Sequence, residues 1–259
     1  MTENPAIKSY LAIAEKAISE ALPAEGERPV SLSDAMRYAV GAGGKRVRPL
    51  ICIAASVAVG GSPEDAAHPA AAIELLHNYT LVHDDLPAMD NDTLRRGKPS
   101  VWAKFGEADA ILAGDALQAR AFAAAARSPR SADAVTAALA DAAYGVVAGQ
   151  VEDVAGSRDV PFVYAHKTAD LFVAAAVMGG LAGGGSADDV RRLRDFAFNL
   201  GMAFQYQDDI LDGDSPYGEE KTVALAKEAT DAALAALDGL PGDTAPLSCI
   251  ASGLLNRRA

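Results

Sequence analysis

Cysteine, aromatic and basic residues are all scarce in this chain of 259 residues. Its two cysteines, Cys52 and Cys249, lie far apart, which excludes a disulfide framework and a cysteine zinc site. Aromatic residues make up 6% of the chain, and 23 Lys and Arg face 35 Asp and Glu, which gives a net charge of −12. So acidic a chain is a poor candidate for binding nucleic acid through phosphate neutralisation. It suits cations, or an anionic substrate that arrives with its own metal ions.

Alanine, by contrast, is abundant, at 57 residues, and half of the chain is hydrophobic. A hydrophobic fraction of this size excludes a wholly disordered chain. Alanine is the best helix former and is depleted in strands, so the composition favours an all-α protein. Apolar residues also recur at intervals of three and four, as on the buried face of a helix. Because no linker or fixed-period repeat interrupts this pattern, we expect residues 1–259 to form a single domain.

Breakers and capping residues divide the chain into about ten predicted helices. Ser62, Pro63 and Glu64 form the strongest start signal, since they supply an N-cap, a first-turn proline and a first-turn acid. The helix that they open is apolar throughout its interior, which predicts a central position. The predicted helices cover residues 4–22, 33–41, 49–59, 63–85, 106–127, 131–156, 160–182, 187–213, 219–238 and 244–257.

Targeting and membrane signals are weak in the sequence. The N-terminal segment carries Glu3, Lys8, Glu15 and Lys16, so it lacks the apolar core of a signal peptide. The longest uncharged stretch, Leu171 to Asp188, is closed by an acid and contains five glycines near its end. This pattern is more typical of a buried helix than of a membrane span. We therefore expect a cytoplasmic protein without stable membrane insertion.

Two acidic clusters, at residues 83–92 (HDDLPAMDND) and 205–212 (QYQDDILD), each end a strongly apolar helix. Carboxylates near a helix C-terminus oppose the macrodipole and repel one another, so they are tolerated where cations bind between them. Oxygen-only ligands favour hard ions, Mg²⁺ above all. In the second cluster, Asp208, Asp209 and Asp212 are spaced so that they share one helix face.

The first cluster cannot form one face of a regular helix. Asp84 and Asp90 are six residues apart, which is about 240° around an ideal helix. Asp90 can therefore lie beside Asp84 only where the helix unwinds, and Pro87 provides the break. We predict a local bulge over residues 86–89 that returns Asp90 to the metal side.

Basic residues form the counterpart of these acids. Lys45 and Arg48 follow a glycine break in the segment 43–49 (GGKRVRP), where glycine permits close backbone approach. The segment 94–98 (LRRGK) follows the first acidic cluster directly, and Lys167 lies near a helix start. Arginine forks and lysine point charges are what phosphate oxygens require. Cations beside acids in a chain of net negative charge suggest a phosphorylated substrate bridged by metal.

The motifs, and the order in which they occur along the chain, resemble those of the trans-isoprenyl diphosphate synthases, which are also called the polyprenyl synthetase family. The resemblance is closest to the bacterial farnesyl diphosphate synthase type. The resemblance covers roughly residues 30–212 and is carried by GGKRVRP, HNYTLVHDDLPAMDNDTLRRGKPS, FGEADAILAGDAL, GQ, KT and FQYQDDILD. It implies an all-α isoprenoid synthase fold, with about ten helices around a central cavity, and a homodimer. It also implies head-to-tail (1′-4) condensation of isopentenyl diphosphate with an allylic diphosphate, dimethylallyl or geranyl.

The resemblance also implies roles for the residues that match. Three Mg²⁺ ions would be bound by Asp84, Asp85, Asp90, Asp208, Asp209 and Asp212. Isopentenyl diphosphate would be bound by Lys45, Arg48, His77 and Arg96. The allylic diphosphate would be held by Arg95, Lys167 and Gln205, and the implied catalytic set is Lys167, Thr168, Gln205 and Lys221. The cavity would be lined by Tyr79, Thr80, Gln150 and Asp153.

The match weakens after Asp212, where residues 213–222 replace a longer loop of the family. Only Lys221 and Thr222 resemble the second Lys-Thr element, so one diphosphate-binding lysine is expected to be missing. The segment between Gln150 and Lys167 also looks shortened. These losses bear on rate and affinity more than on the class of reaction.

The length of the prenyl product is predicted from Tyr79, which lies five residues before Asp84. In the resembled family an aromatic residue there limits elongation, which favours farnesyl diphosphate (C15) over C10 and C20 products. Three alternatives stay open: a geranylgeranyl diphosphate synthase, a non-catalytic or regulatory subunit of a heteromeric prenyl synthase, and a class I terpene cyclase. A cyclase would have no use for Lys45, Arg48 and His77.

Overall fold

A computed structural model describes residues 4–255, which fold into packed helices, and this confirms the predicted all-α class. Their bounds are α1 (Pro5–Ala21), α2 (Val30–Gly41), α3 (Val47–Ala58), α4 (Ala67–Asp84), α5 (Val101–Phe105), α6 (Glu107–Ala125), α7 (Ala132–Val154), α8 (Val160–Val163), α9 (Asp170–Ala182), α10 (Ala187–Asp212), α11 (Glu219–Ala236) and α12 (Ala245–Leu255). A two-stranded hairpin, β1 (Leu94–Arg95) and β2 (Lys98–Pro99), follows the first acidic cluster. The prediction for residues 256 and 257 lies outside the described residues.

Helix α4 holds the central position that its composition predicts. It packs against α1, α3, α6, α7 and α9. From Ala70 to Leu76 every side chain is buried, and the small alanines let neighbouring helices approach closely. Glu74 is the one acid in this run and is 3% exposed. The neighbouring helices thereby fix the position of α4, at whose C-terminal end the first acidic cluster begins.

The predicted helix starts differ most from the structure at α4 and α2. At α4, Ser62 and Asp65 cap each other reciprocally, but the first turn, Glu64–Ala66, is a 3₁₀ turn and the α-helix begins at Ala67. At α2, the predicted start at Ser33 is wrong, because the helix already begins at Val30. The Ser33 hydroxyl donates to the Val30 carbonyl within the helix, at 3.1 Å, instead of capping its end.

The predicted helix 160–182 is divided into three parts. Between α8 and α9, residues Tyr164–Ala169 form a π-helical turn, which we call the wide turn. It packs against α7 at Gly149, where a Cβ would lie 2.5 Å from the amide nitrogen of Lys167. Wide turns of this kind are frequent at functional sites. Hydrophobic periodicity does not distinguish them from a continuous helix, so the sequence prediction missed this division.

Candidate functional site

A cleft of about 370 Å³ lies between α4 and α7, next to the first acidic cluster. The α4 side contributes Tyr79, Thr80, His83 and Asp84. The α7 side contributes Gln150 and the valines Val146, Val147, Val151 and Val154. The cleft therefore has an aliphatic wall and one carboxylate at its edge. Of the residues predicted to line the cavity, Tyr79, Thr80 and Gln150 do so.

The Tyr79 ring packs against His83, which in turn contacts helix α6. The Tyr79 and His83 rings meet edge-on, with 4.8 Å between centroids. The Nε2 atom of His83 lies 3.1 Å from the Ile111 carbonyl oxygen of α6. The His83 ring also occupies the place that a Cβ on Gly114 would take, so α6 can approach only because residue 114 has no side chain.

The first acidic cluster folds back on itself after α4 ends at Asp84. The amide of Met89 donates to the Leu86 carbonyl at 2.8 Å, and the amide of Asp90 donates to the Asp84 carbonyl at 2.9 Å. The predicted unwinding before Asp90 is confirmed, although it is a turn beyond the helix and not a bulge within it. Burial, together with the charges of Asp90 and Asp85, raises the pKa of Asp84 to about 6, against the opposing charges of Lys167 and Arg95.

Arg95 and Arg96 are presented by the β1–β2 hairpin. Its two loop residues, Arg96 and Gly97, both have positive φ, which is the geometry of a tight two-residue hairpin turn. Arg95 donates through Nε to the buried Asp85 carboxylate at 2.9 Å, and its Nη2 makes a second, shorter contact. Asp85 thus fixes the position of Arg95 beside the acidic cluster.

The wide turn connects to the second acidic cluster through side chains. The Thr168 hydroxyl donates to Gln205 Oε1 at 2.9 Å, and Gln205 Nε2 donates to Asp209 Oδ1 at 3.1 Å. The Tyr164 hydroxyl donates to the other oxygen of Asp209 at 2.7 Å. Sequence reasoning missed Tyr164. A helical spacing of three from Lys167 was the available signal.

Lys167 links the wide turn to α7 and acts by its charge on the end of α4. Its ammonium group contacts Asp153 of α7 at 2.5 Å, and its charge lowers the pKa of Asp84 at the end of α4. Gln150, one turn before Asp153, is buried, and its Nε2 has no hydrogen-bond partner. The wide turn therefore places a cation next to both the carboxylate edge and the polar end of α7.

A group of basic residues lies near the start of α3 and is called the basic pocket here; it consists of Lys45, Arg48, His77 and Arg96. Arg48 donates through Nη1 to His77 Nε2 at 3.3 Å, and its guanidinium lies over the Phe172 ring at 4.9 Å. Burial and the charges of Arg48 and Arg96 lower the pKa of His77 well below its usual range, so its ring is neutral. Because Nε2 accepts from Arg48, the ring proton is on Nδ1.

Several of these polar atoms are buried without a partner. Within residues 4–255, buried side-chain atoms that lack a hydrogen bond are Arg48 Nε, His77 Nδ1, Gln150 Nε2 and Ser100 Oγ. Three of the four belong to residues predicted to bind substrate. A buried donor without a partner costs free energy, and a bound anionic or polar ligand would offset that cost.

The donor set of the acidic clusters fits Mg²⁺. All of its atoms are carboxylate oxygens, the ligands that this ion prefers. Among residues 4–255, no three acidic, histidine or cysteine side chains come together as a complete ion site. Mg²⁺ is usually held by one or two carboxylates together with substrate phosphates, so these clusters suit an ion shared with a diphosphate. The number of ions stays a prediction.

The short loop after α10 is held by tyrosines and a buried threonine. Thr222 is fully buried and donates to the Gly218 carbonyl at 2.8 Å. The Lys221 ammonium lies over the Tyr217 ring at 5.1 Å. Tyr217 meets Tyr206, and Tyr206 meets Tyr164, at centroid distances of 6.2 and 6.0 Å. Through Tyr206, the loop before the first turn of α11 is thus linked to Tyr164, which donates to Asp209.

The sequence matches the family model described as polyprenyl synthetase over residues 29–233. It is 46% identical over 219 residues to heterodimeric geranylgeranyl pyrophosphate synthase large subunit 1 of Arabidopsis thaliana, covering 77% of this chain and 58% of that protein. It is 44% identical over 211 residues to the chloroplastic geranylgeranyl pyrophosphate synthase of Capsicum annuum, covering 76% and 57%. The chain thus spans somewhat more than half the length of these two curated relatives.

Two solved structures are similar over nearly their full length. An FPP/GFPP synthase from Zymomonas mobilis superposes with a TM-score of 0.88 at 35% identity, covering 96% of this chain and 99% of that one. A geranylgeranyl pyrophosphate synthetase from Pyrococcus horikoshii superposes with a TM-score of 0.89 at 30% identity, covering 98% of both chains.

Proposed function

Because the chain belongs to the polyprenyl synthetase family, we propose that it catalyses Mg²⁺-dependent, head-to-tail (1′-4) condensation of isopentenyl diphosphate with dimethylallyl or geranyl diphosphate. The observation that carries this proposal is the wide turn, which is linked to the second acidic cluster by hydrogen bonds and to the first by charge. The charge of Lys167 acts on Asp84. Thr168 is linked to Asp209 through a hydrogen-bonded glutamine. One short segment thus joins the two candidate metal-binding walls.

In this proposal Lys167 and Arg95 bind the leaving diphosphate. Each is positioned by a carboxylate, Lys167 by Asp153 and Arg95 by Asp85. Mg²⁺ held by the two acidic clusters would neutralise the charge that develops on the diphosphate. As the allylic C–O bond breaks, Lys167 and Arg95 donate hydrogen bonds to the departing oxygens, and these bonds strengthen as the charge grows.

The basic pocket binds the second substrate in this proposal. Lys45, Arg48 and Arg96 supply the positive charge for the isopentenyl diphosphate, and His77 offers a neutral N–H donor. The unpartnered Arg48 Nε and His77 Nδ1 support this role, because a diphosphate oxygen satisfies both.

The aliphatic wall of α7 protects the reaction from water. An allylic cation is quenched if water reaches it, and the valine side chains give the cleft an apolar wall that offers water no hydrogen-bond partner. The double bond of isopentenyl diphosphate attacks C1 of the allylic chain, and a new carbon–carbon bond forms. The proton then lost from the isopentenyl carbon passes to an oxygen of the released diphosphate.

We propose farnesyl diphosphate as the main product, because the Tyr79 ring lies in the cleft wall beside His83. Geranylgeranyl diphosphate is the second candidate, since several relatives carry that name. The test is to incubate the purified chain with isopentenyl diphosphate and dimethylallyl diphosphate, with Mg²⁺ or with EDTA. We expect release of pyrophosphate and a C15 product only with Mg²⁺. A chain that releases no pyrophosphate by itself would favour the regulatory subunit instead.

We also propose that a second copy of the chain covers α7. Exposed apolar residues recur along it at intervals of three and four: Tyr144 (77% exposed), Val147 (44%), Val151 (62%) and Val154 (60%). On neighbouring α6, Leu112 is 56% exposed. Apolar stripes of this length are typical of a partner interface. The valines also line the cleft, so a partner placed here would close it from outside.

The oligomeric state tests this interface. Val151→Glu should convert a dimer into a monomer in analytical ultracentrifugation, whereas Val223→Glu, at an exposed valine of α11, should leave it dimeric. Among the described residues α7 is also the one helix long and apolar enough to cross a membrane, with 44% of its most apolar window buried. A monomeric chain that binds lipid vesicles through α7 would overturn the dimer.

A further inference from the structure

Arg46, the middle cation of the segment 43–49, is turned away from its neighbours. Its side chain is 7% exposed, whereas Lys45 is exposed to solvent and Arg48 contacts His77. The backbone of Arg46 is left-handed, with φ of 49°, a conformation that side chains with a Cβ adopt at a cost. An arginine held in this way needs a compensating contact.

The guanidinium of Arg46 has three such contacts, one from each nitrogen. Nε donates to Glu15 of α1 at 2.8 Å, and Nη1 donates to Glu74 of α4 at 2.8 Å. Nη2 donates to the carbonyl of Val40, near the end of α2, at 2.8 Å. The planar fork of arginine therefore joins three helices at the point where α3 begins. We call this arrangement the Arg46 clasp.

Glu74 is the buried anchor of the Arg46 clasp. It is 3% exposed, and Asn78 donates to its main-chain carbonyl at 2.8 Å. Burial would lower the pKa of Arg46, but Glu15 and Glu74 hold it above its ordinary value. The charge of Glu74 also acts on Arg48 and Arg96. One carboxylate is thus the shared counter-charge of the basic pocket.

The clasp determines the shape of the loop that forms the basic pocket. Because Arg46 is left-handed and points inward, Lys45 points outward and α3 begins at Val47, which carries Arg48 into the pocket. Arg96 packs onto the same loop at Gly44, where a Cβ would overlap its guanidinium. All three cations of the pocket therefore depend on the course of residues 43–47.

We propose that Arg46 is a positioning residue for isopentenyl diphosphate: through the clasp with Glu74 and Glu15 it aims Lys45 and Arg48 at the diphosphate without touching it. The inference rests on the proposed function, since it concerns the binding of that substrate. Lysine cannot replace Arg46 here, because an ammonium group lacks the fork that bonds in three directions.

Arg46→Lys tests the clasp while it keeps the positive charge. Isopentenyl diphosphate is titrated by calorimetry in EDTA, where binding reports the basic pocket rather than the acidic clusters. We expect its Kd and its KM to rise about tenfold, since small displacements of binding groups have large effects. The kcat and the KM for the allylic substrate should stay within about twofold, because the wide turn and both acidic clusters are unchanged.

Arg120→Lys is the matched control. Arg120 ties α6 to the end of α1 by donating to the Ala21 carbonyl at 2.7 Å, so it makes a similar structural bond away from the basic pocket. Its Kd for isopentenyl diphosphate should equal that of the wild type. If both variants lost the same affinity for isopentenyl diphosphate, the positioning role would be overturned, and a general loss of stability would explain the result.

Arg48→Gln separates the inference from the proposed function. If Arg48→Gln weakens binding and Arg46→Lys does not, the clasp has no positioning role but the basic pocket stands. If neither variant weakens binding, the basic pocket is wrongly assigned and the proposed function fails with it. Should Arg46→Lys not fold, Glu15→Gln removes one half-exposed arm of the clasp. It is expected to raise the KM for isopentenyl diphosphate alone, and an unchanged KM then overturns the inference.

Discussion

The amide nitrogen of Asp90 lies 2.9 Å from the carbonyl oxygen of Asp84, six residues earlier, and donates a hydrogen bond to it. This bond closes the turn after α4, and the charge of Asp90 raises the pKa of Asp84. Asp84 is also flanked by Asp85, which is 2% exposed. Like charges in a partly buried position repel, so the cluster is stable in its charged form only with cations beside it.

Asp84→Asn should therefore separate activity from stability. We expect a loss of about three powers of ten in rate, because charge stabilisation by a metal ion amounts to several kcal/mol. In EDTA the melting temperature should stay equal or rise, since one of the repelling charges is removed. Asp34→Asn, at an exposed acid of α2, is the control and should change neither quantity. Full activity of Asp84→Asn would refute the metal assignment.

Lys45→Ala and Arg48→Ala should each weaken the binding of isopentenyl diphosphate and leave the binding of the allylic substrate largely unchanged. Each removes a charge-assisted hydrogen bond of about 1.5–3 kcal/mol, so the KM for isopentenyl diphosphate should rise tenfold or more. The KM for the allylic diphosphate should change much less. Steady-state kinetics with each substrate varied in turn provides the measurement, and Lys227→Ala on α11 is the control. A larger change in the allylic KM would mean that the two diphosphate sites are reversed.

Tyr79→Ala should lengthen the product. Removal of the ring opens the cleft beside His83, and the distribution should shift from C15 to C20 or longer. Tyr79→Phe keeps the ring and should keep the wild-type distribution. Chromatography of dephosphorylated products at equal substrate ratios distinguishes the three proteins. If Tyr79→Ala gives the wild-type products, another residue limits elongation.

Tyr164→Phe should weaken binding of Mg²⁺. It removes the hydroxyl that donates to Asp209 at 2.7 Å, and loss of such a supporting hydrogen bond lowers metal affinity about tenfold or more. Tyr206→Phe, in contact with the same ring, is the control. Calorimetric titration of Mg²⁺ in the presence of pyrophosphate gives the affinity, and the Mg²⁺ dependence of the rate gives an independent value. Equal affinities in both variants would show that Tyr164 only packs.

Much of the site was predictable because its signals are local. The spacing of Asp208, Asp209 and Asp212 depends only on helix geometry, and α10 does extend through Asp212. Pro87 and the six-residue interval to Asp90 predicted the turn after α4 for the same reason. The broad positions of the helices followed from periodicity and breakers, to within a few residues at most ends.

The features that could not be predicted depend on contacts between distant segments. Arg46 is left-handed because Glu15, Glu74 and Val40 converge on it, and no local pattern encodes that convergence. Tyr164 gains its role from Asp209, 45 residues away. The hairpin β1–β2 has two residues in each strand, which is too short for an alternation of polar and apolar residues to be recognised.

Gly114 influences the width of the cleft although it does not line the cleft. The His83 ring lies where a side chain at residue 114 would be, and the Tyr79 ring rests on His83. A methyl group added by Gly114→Ala pushes His83 toward Tyr79, so the cavity narrows and the same product chromatography should show shorter chains. We therefore expect that the length of the product can be changed from α6, by exchange of a small residue that does not line the cleft. Besides Tyr79, residue 114 is thus a second position at which product length can be engineered, and it acts indirectly, through the spacing between α4 and α6.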